Sequence, residues 1–280
     1  MPRLISCYSN CFGSDGVFAA AERIGETGIK HLELALRGHN FGGLIIPESA
    51  VITEKASDID ANAFLAHLEK HKVKLSGCNV GGANILTKEG VEQTIRRIQF
   101  AHKWFRVPIV ISGAGQPTSP DERATAVSHL RQIGDIAQKL GMIVALETHQ
   151  GPTQNADAML KLMEELDHPA VLLNFDTGNI AYYNQGVDPA DELEKVKLLV
   201  GNVHVKDNRG GFKDWYFPAL GEGGSVDFKR IRQILDGVGF QGSYTIEIEG
   251  IQDEPEPGLE DRVRRITRSV EHLKACGYFD

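Results

Sequence analysis

The chain has 280 residues, of which 41% are hydrophobic and 24% are charged, with 30 Lys and Arg against 38 Asp and Glu. This length and composition are typical of a globular protein with one large core, and the net charge of −8 disfavours a surface built to bind phosphate backbones. No stretch approaches the roughly 18 apolar residues of a membrane span, and no signal-peptide pattern opens the chain, so we expect a cytoplasmic protein without nucleic-acid or membrane partners.

Short apolar runs recur along the chain, and each has the length and composition of a buried β-strand. These eight runs are Leu4–Tyr8, Lys30–Leu36, Lys74–Asn79, Pro108–Ser112, Met142–Thr148, Ala170–Asp176, Leu199–Lys206 and Ser243–Glu249. Amphipathic stretches with helical spacing follow them: Gly16–Thr27, Ala61–His71, Lys88–Phe105, Pro120–Leu140, Ala156–Leu166, Pro189–Val196, Phe228–Gly237 and Leu259–Cys276.

The number of repeated units indicates the fold class. Dividing 280 residues by eight units gives 35 residues per unit, which suits the about 250 residues of a typical (β/α)8 barrel. A doubly wound open sheet is disfavoured, because the turn after the first strand lacks the GxGxxG pattern of a nucleotide site. We therefore predict an α/β protein with a single (β/α)8 TIM barrel domain over residues 1–280.

Polar residues cluster at the ends of the last four predicted strands. Alternate residues of a barrel strand point inward, and the chemistry of such barrels lies at the C-terminal ends of the strands. The residues that share the inward parity are Glu147 and His149, then Asn174 and Asp176, then Asn202, His204 and Lys206, and finally Thr245, Glu247 and Glu249.

One ionisable group from each of these strands forms a candidate metal site: Glu147, Asp176, His204 and Glu247. Burying four unpaired ionisable groups together would cost several kcal/mol per charge. Three carboxylates and one imidazole suit one divalent ion, Mn²⁺ first and otherwise Mg²⁺, Co²⁺ or Zn²⁺, with positions left for substrate oxygens. The alternative is that each residue caps a helix or pairs with a neighbouring lysine in a barrel without catalytic function.

Five motifs carry a resemblance to a known family: Glu147-Thr148-His149, Phe175–Asn179, His204–Asp207, Leu220–Phe228 and Ile246–Glu249. With them the sequence resembles the xylose isomerase-like barrel superfamily, the sugar phosphate isomerase and epimerase group. The resemblance implies that the four residues named above hold one metal ion. It also implies that Glu147 and Glu247 act as opposed acid and base on a free keto sugar, through a metal-stabilised enediolate. The implied function is a metal-dependent sugar isomerase or epimerase.

Two features differ from the ketose 3-epimerases of that group. The histidine two residues after Glu147 is similar to one in the barrel subunits of C-glycoside deglycosidases, where it is a proposed base. The run from His204 to Arg209 is similar to the inosose dehydratases. Both relatives eliminate a group β to a keto-sugar carbonyl, so the alternative function is a keto-sugar lyase with His149 as the base. We also expect a homo-oligomer, with a small partner subunit if the chain is deglycosidase-like.

Other residues are candidates for contact with the sugar: Glu33, Lys206, Arg209 and Glu249. Lys206 alternatively forms an internal salt bridge with Glu247 or Glu249. Arg209 alternatively pairs with Asp207. The long glycine-rich segment after the seventh strand, with Trp215 and Phe217, is expected to form a lid or pocket wall, or else a packed surface loop.

Three further features limit the function. A DNA-repair endonuclease of the same superfamily is disfavoured, because Asn179 stands at the Asp-x-x-His position and the net charge is −8. A phosphorylated substrate is not expected, since no glycine-rich nest with a basic residue follows the last two strands. The four cysteines lack CxxC spacing and are expected to be reduced thiols.

Overall fold

The structure, a computed structural model, describes residues 2–38, 40–41 and 44–279. Its centre is a closed barrel of eight parallel strands: β1 (Leu4–Tyr8), β2 (His31–Ala35), β3 (Lys74–Asn79), β4 (Ile109–Ser112), β5 (Ile143–Glu147), β6 (Val171–Asp176), β7 (Val200–Val205) and β8 (Ser243–Ile246). Strands that follow each other in sequence are neighbours, and β1 pairs with β8 to close the barrel. The predicted α/β TIM barrel is confirmed.

The described residues form nine α-helices around the barrel: α1 (Gly16–Arg23), α2 (Asp58–His71), α3 (Lys88–Phe100), α4 (Pro120–Lys139), α5 (Ala156–Leu166), α6 (Thr177–Tyr183), α7 (Pro189–Val196), α8 (Phe228–Gly237) and α9 (Leu259–Ala275). Several begin at a residue whose side chain accepts a backbone N–H of the first turn, as Ser119 does for α4. In the described part of the chain, no helix is long and apolar enough to cross a membrane.

Three elements near the barrel rim were not predicted. A 3₁₀ segment, Ser9–Asp15, follows β1. Helix α6 begins directly after β6. Two short strands, Tyr216–Phe217 after β7 and Gly250–Ile251 after β8, pair antiparallel in what we call the rim ribbon. The last predicted strand ends at Ile246 rather than at Glu249, because the chain turns there towards the ribbon.

The barrel interior is polar as well as apolar. Asn202 Nδ2 donates to Asn174 Oδ1 at 3.0 Å, and Ser6 Oγ lies 2.8 Å from Ser76 Oγ. These side chains are buried, so their mutual hydrogen bonds offset the cost of removing them from water. The apolar core lies between the strands and the helices, with Leu146 among its fully buried residues. The alternation predicted from the sequence therefore holds.

Candidate metal centre and active site

The main cavity opens at the C-terminal end of the barrel strands and has a volume of about 680 Å³. Its floor contains Glu147 and Glu247, and one wall carries His149 and Tyr183. Another side of the cavity is formed by Phe217 of the rim ribbon and by Trp215, which precedes the ribbon in the sequence. The long segment after β7 is therefore a pocket wall, which was one of the predicted alternatives.

The four predicted metal ligands converge at the floor of this cavity. Glu147, Asp176, His204 and Glu247 each offer one ligand atom, and these four atoms lie within 4.8 Å of one another. Glu147 and Asp176 end β5 and β6, His204 lies in β7, and Glu247 follows β8. The parallel register brings these positions together, because Asp176 pairs with His204 across the β6–β7 ladder.

Three atoms of this set are buried without a hydrogen-bond partner among the described residues: Asp176 Oδ2, His204 Nδ1 and Glu247 Oε2. His204 Nδ1 lies 3.0 Å from Glu247 Oε2 and 3.3 Å from Glu147 Oε1. Buried polar atoms normally have partners, so a cluster of lone pairs that face one point needs an explanation. A divalent cation would satisfy all of them at once, and the donor set fits such an ion.

Burial and neighbouring charges shift the pKa values of three groups in this cluster. Burial raises the pKa of Asp176 well above its ordinary value, although the Lys206 ammonium opposes this. Burial would lower the pKa of His204, but the carboxylates of Glu33 and Glu247 raise it well above its usual range. The pKa of Glu247 lies below its ordinary value, because the cations of Lys206 and His204 outweigh burial. A bound divalent ion would favour the deprotonated form of each ligand atom.

Glu33 lies behind the histidine of this cluster. Its two carboxylate oxygens lie 3.0 and 3.1 Å from His204 Nε2, and the Glu33 side chain is fully buried. Asn202 Nδ2 donates to the same carboxylate at 3.3 Å. With its proton on Nε2, the His204 ring directs the lone pair of Nδ1 at the other ligands. This geometry supports a role in orienting His204 rather than the predicted contact with substrate.

We expect Glu33→Gln to weaken metal binding at this site by about 10- to 100-fold, the range usual for partners behind a ligand histidine. The amide keeps one accepting oxygen but removes the negative charge that stabilises the Nε2–H tautomer. Competition with a metal indicator dye would measure the affinity. Glu192→Gln is the matched control, since Glu192 is a buried carboxylate that accepts the N–H of Ala156 at 2.7 Å at the start of α5. Equal affinities in both variants would contradict the orienting role.

Lys206 and Glu249 form an ion pair beside the metal cluster. Lys206 Nζ also lies 3.5 Å from Glu247 Oε2 and 3.6 Å from Asp176 Oδ2. The ammonium lies 4.5 Å from the centre of the Phe217 ring. The internal salt bridge, one of the two predicted alternatives, is therefore present. Both side chains also line the cavity, so they remain candidates for contact with a substrate.

Arg209 is not brought to the cavity. Its guanidinium is paired with Asp214 and stacks 4.4 Å from the centre of the Tyr216 ring, on an exposed part of the loop. The predicted alternative partner, Asp207, instead accepts the backbone N–H groups of Asn208 and Gly221. The buried carboxylate of Asp207 thus organises the loop interior, and the arginine is left on the outer side.

His149 lies on the cavity wall between two polar side chains. Its Nδ1 lies 3.3 Å from Gln116 Nε2, and its Nε2 lies 2.8 Å from Tyr183 Oη. Burial lowers the pKa of His149 against the opposing effect of Glu147, which favours the neutral ring. With the Gln116 amide donating to Nδ1, the proton of the ring lies on Nε2 and is donated to Tyr183. The phenol proton of Tyr183 is then available to a bound molecule.

Gln116 and Tyr183 were missed in the sequence. Tyr183 lies at the cavity because α6 starts immediately after β6. The run Thr177–Tyr183 is too short to show helical periodicity, so the sequence did not predict this helix. The adjacent residues Tyr182 and Tyr183, shortly after the Phe175–Asn179 motif, are the sequence signal that could have indicated aromatic residues at the cavity. Gln116 lies in the irregular segment after β4, for which the sequence offers no comparable signal.

Comparison with known proteins connects the chain to enzymes. The sequence model of one family, the xylose isomerase-like TIM barrel, matches residues 18–276. Inosose dehydratase of Geobacillus thermodenitrificans is 25% identical over 240 residues, which cover 80% of this chain and 74% of that protein. A 3-dehydroshikimate dehydratase of Bacillus anthracis is 30% identical over 124 residues, 41% of this chain and 44% of that protein. Matches to further inosose dehydratases likewise span less than half of their length.

Solved structures show the same fold at lower sequence identity. A D-tagatose 3-epimerase-like protein superposes with a TM-score of 0.75 at 19% identity, covering 98% of this chain and 96% of that one. A xylose isomerase-like TIM barrel protein of Mycobacterium smegmatis, solved in complex with magnesium, gives 0.73 at 18% identity, with 98% and 97% covered. At these identities the likeness establishes the barrel alone.

Proposed function

The chain belongs to the xylose isomerase-like TIM barrel family, and from this membership and its site we propose a divalent-metal-dependent enzyme that enolises a polyhydroxylated ketone. The proposal rests on the convergence of Asp176 Oδ2, His204 Nδ1 and Glu247 Oε2 on the floor of the cavity, where none of them has a hydrogen-bond partner among the described residues. The substrate class is a keto sugar or a cyclic keto polyol. We propose one ion per site, Mn²⁺ before Mg²⁺, Co²⁺ or Zn²⁺, because oxygen donors dominate the set.

A divalent ion bound by these four residues would polarise the ketone and make the neighbouring C–H more acidic. The proton transfers would be carried out by side chains of the cavity. Glu147 exposes 20% of its side chain to the cavity and is placed to exchange a proton with the substrate. Glu247 follows β8, which β6 and β7 separate from β5, so the two carboxylates approach from different sides. Lys206 holds Glu247 in its ionised form.

Within this reaction class we favour β-elimination, which makes the lyase the leading candidate. The curated relatives at 25% to 31% identity are named as dehydratases, and a neutral histidine with a tyrosine partner lies on the cavity wall. In this reaction the Nδ1 lone pair of His149, released from the Gln116 amide, removes the α proton, and the C–H electron pair becomes a carbon–carbon double bond. The hydroxyl on the β carbon leaves as water after it receives a proton, for which Tyr183 is the nearby donor.

Isomerisation or epimerisation is the second candidate. The observation that favours it is the pair of glutamates, Glu147 and Glu247, that reach one metal cluster from opposite parts of the barrel. One glutamate would remove the α proton and the other would return a proton to the opposite face or the adjacent carbon. The product would then have the same mass as the substrate. The expected homo-oligomer, and a small partner subunit in the deglycosidase-like case, stay predictions.

The products formed in heavy water should separate these reactions. We expect the metal-loaded protein, offered a panel of inososes, ketoses and 3-keto glycosides in D₂O, to give a product lighter by one water molecule. Recovered substrate should carry deuterium at the α carbon, because proton removal precedes the loss of water. Mass spectrometry and proton NMR would measure both.

The other outcomes have equally definite meanings. An isomer that has lost no water, with or without deuterium at carbon, as the sole product would support the isomerase and contradict the lyase. Loss of an aglycone from a 3-keto glycoside would support elimination with a different leaving group. If the protein with its metal site filled exchanges no α proton on any compound of the panel, the proposed enolisation is wrong. The chelator-treated protein serves as the control for background exchange.

A further inference from the structure

A second cluster of metal-binding side chains lies on the helical layer, away from the cavity. Glu22 of α1 and His67 and His71 of α2 each offer one ligand atom, and these three atoms lie within 4.8 Å of one another. The two histidines are four residues apart, so they lie on one face of α2. Their ring centres are 4.6 Å apart.

The tautomer of His67 is fixed in the form that a metal ligand needs. Its Nε2 lies 3.0 Å from the carbonyl oxygen of Phe18, and a carbonyl oxygen can only accept. The proton therefore lies on Nε2, and Nδ1 keeps its lone pair. A backbone carbonyl that holds the other ring nitrogen is the usual support of a ligand histidine. Packing of the ring against Phe18, with centroids 5.3 Å apart, restricts its rotation further.

His71 adds a second, independent indication. Its Nε2 is buried and has no hydrogen-bond partner within the part of the chain that the structure describes. An unpartnered buried ring nitrogen is costly, and a cation bound through this nitrogen would satisfy it. Glu22 is exposed and the histidines are half-buried, so an ion can reach the site from solvent.

From this arrangement we propose that Glu22, His67 and His71 bind one divalent transition-metal ion, Zn²⁺ in particular. Two imidazoles and one carboxylate form a nitrogen-rich set that suits Zn²⁺, with a water molecule in the fourth position. The donor set differs from the oxygen-rich cluster of the cavity, so the two sites should prefer different metals. The proposal does not depend on the proposed function.

The position of the site indicates what the ion does. Glu22 lies near the end of α1, before β2, and His71 ends α2, three residues before β3 begins. Helix ends that lead into strands lie at the N-terminal end of the barrel, opposite the cavity. An ion there joins two neighbouring helices that pack together. It would stabilise the folded chain rather than take part in the reaction.

Zinc counting in matched variants tests the proposal. After equilibrium dialysis against micromolar free Zn²⁺, we expect two equivalents per chain in the wild type, and one each in His71→Ala and Asp176→Asn. The double variant should bind none. His102→Ala, which changes a half-buried histidine on the turn after α3, is the matched control and should keep two. Equal zinc content in His71→Ala and the wild type would overturn the proposal.

Thermal unfolding gives a second readout that does not depend on counting. In the Asp176→Asn background, Zn²⁺ should raise the unfolding temperature, and adding Glu22→Gln should remove most of that rise. Glu22 is exposed, so this change is compatible with the fold even if His71→Ala fails to fold. The same zinc-dependent rise with and without Glu22→Gln would show that the ion binds elsewhere and would overturn the assignment.

Discussion

Asp176→Asn is expected to abolish metal binding at the cavity floor and to reduce turnover to the background rate. Asp176 Oδ2 is a buried candidate ligand atom that has no hydrogen-bond partner among the described residues, and its negative charge would offset that of the cation. Asparagine supplies a neutral group of the same shape. The site therefore loses one negative charge and keeps Glu147, His204 and Glu247 as its other ligands. Elemental analysis after dialysis, together with the rate of α-proton exchange, would measure the two losses.

The choice of asparagine separates metal binding from helix capping. Asp176 Oδ1 accepts the N–H groups of Gly178 and Asn179 at 2.9 and 2.8 Å, and so caps α6. Asparagine can keep these bonds through its amide oxygen. Asp188 is the matched control, because it caps α7 in the same way. We expect Asp188→Ala to lose about 0.5–2 kcal/mol of stability but no metal. Wild-type metal content in Asp176→Asn would contradict the role in metal binding and leave Asp176 with the capping role alone.

This residue also shows how far the sequence-based reasoning could reach. Capping and metal binding were posed as alternatives for the inward groups, yet in Asp176 one carboxylate oxygen caps α6 and the other is the candidate ligand atom. The inward positions themselves followed from the alternation along each strand, which is a local property. The convergence of four strand ends followed from the parallel barrel, once eight repeats had been counted. Local periodicity and topology together were sufficient to predict which four residues form the candidate metal cluster.

The partners of individual side chains could not be predicted in this way. Glu33 and His204 are 171 residues apart, and their contact across the barrel depends on tilt and register that no local pattern encodes. Arg209 was placed near the substrate by resemblance, but its loop folds so that Asp214, five residues on, takes the guanidinium. The rim ribbon joins two segments that each pair over only two residues. Such short pairings leave no alternating pattern in the sequence.

His149→Ala is expected to lower kcat for elimination by about 10²- to 10⁴-fold, the contribution usual for a general base. Burial lowers the pKa of the ring and so favours its neutral form. The ring lies on the cavity wall, within hydrogen-bond distance of Gln116 and Tyr183. Alanine removes the base without removing a metal ligand, so metal content should remain at one ion at the cavity floor. Steady-state kinetics with the substrate found in the D₂O experiment, and metal analysis of the same sample, would measure both quantities.

A pair of neighbouring tyrosines supplies the control for this effect. Tyr183→Phe removes the hydroxyl that lies 2.8 Å from His149 Nε2, whereas Tyr182→Phe removes a hydroxyl from a ring packed on Trp215 and Phe217. We expect a clear loss of kcat in the first variant and little change in the second, because the hydroxyl of Tyr183 is the one that contacts His149. If His149→Ala keeps full elimination, proton removal belongs to Glu147 or Glu247. If it loses elimination but still exchanges the α proton, the histidine acts only after enolisation, which separates the base from the group that expels water.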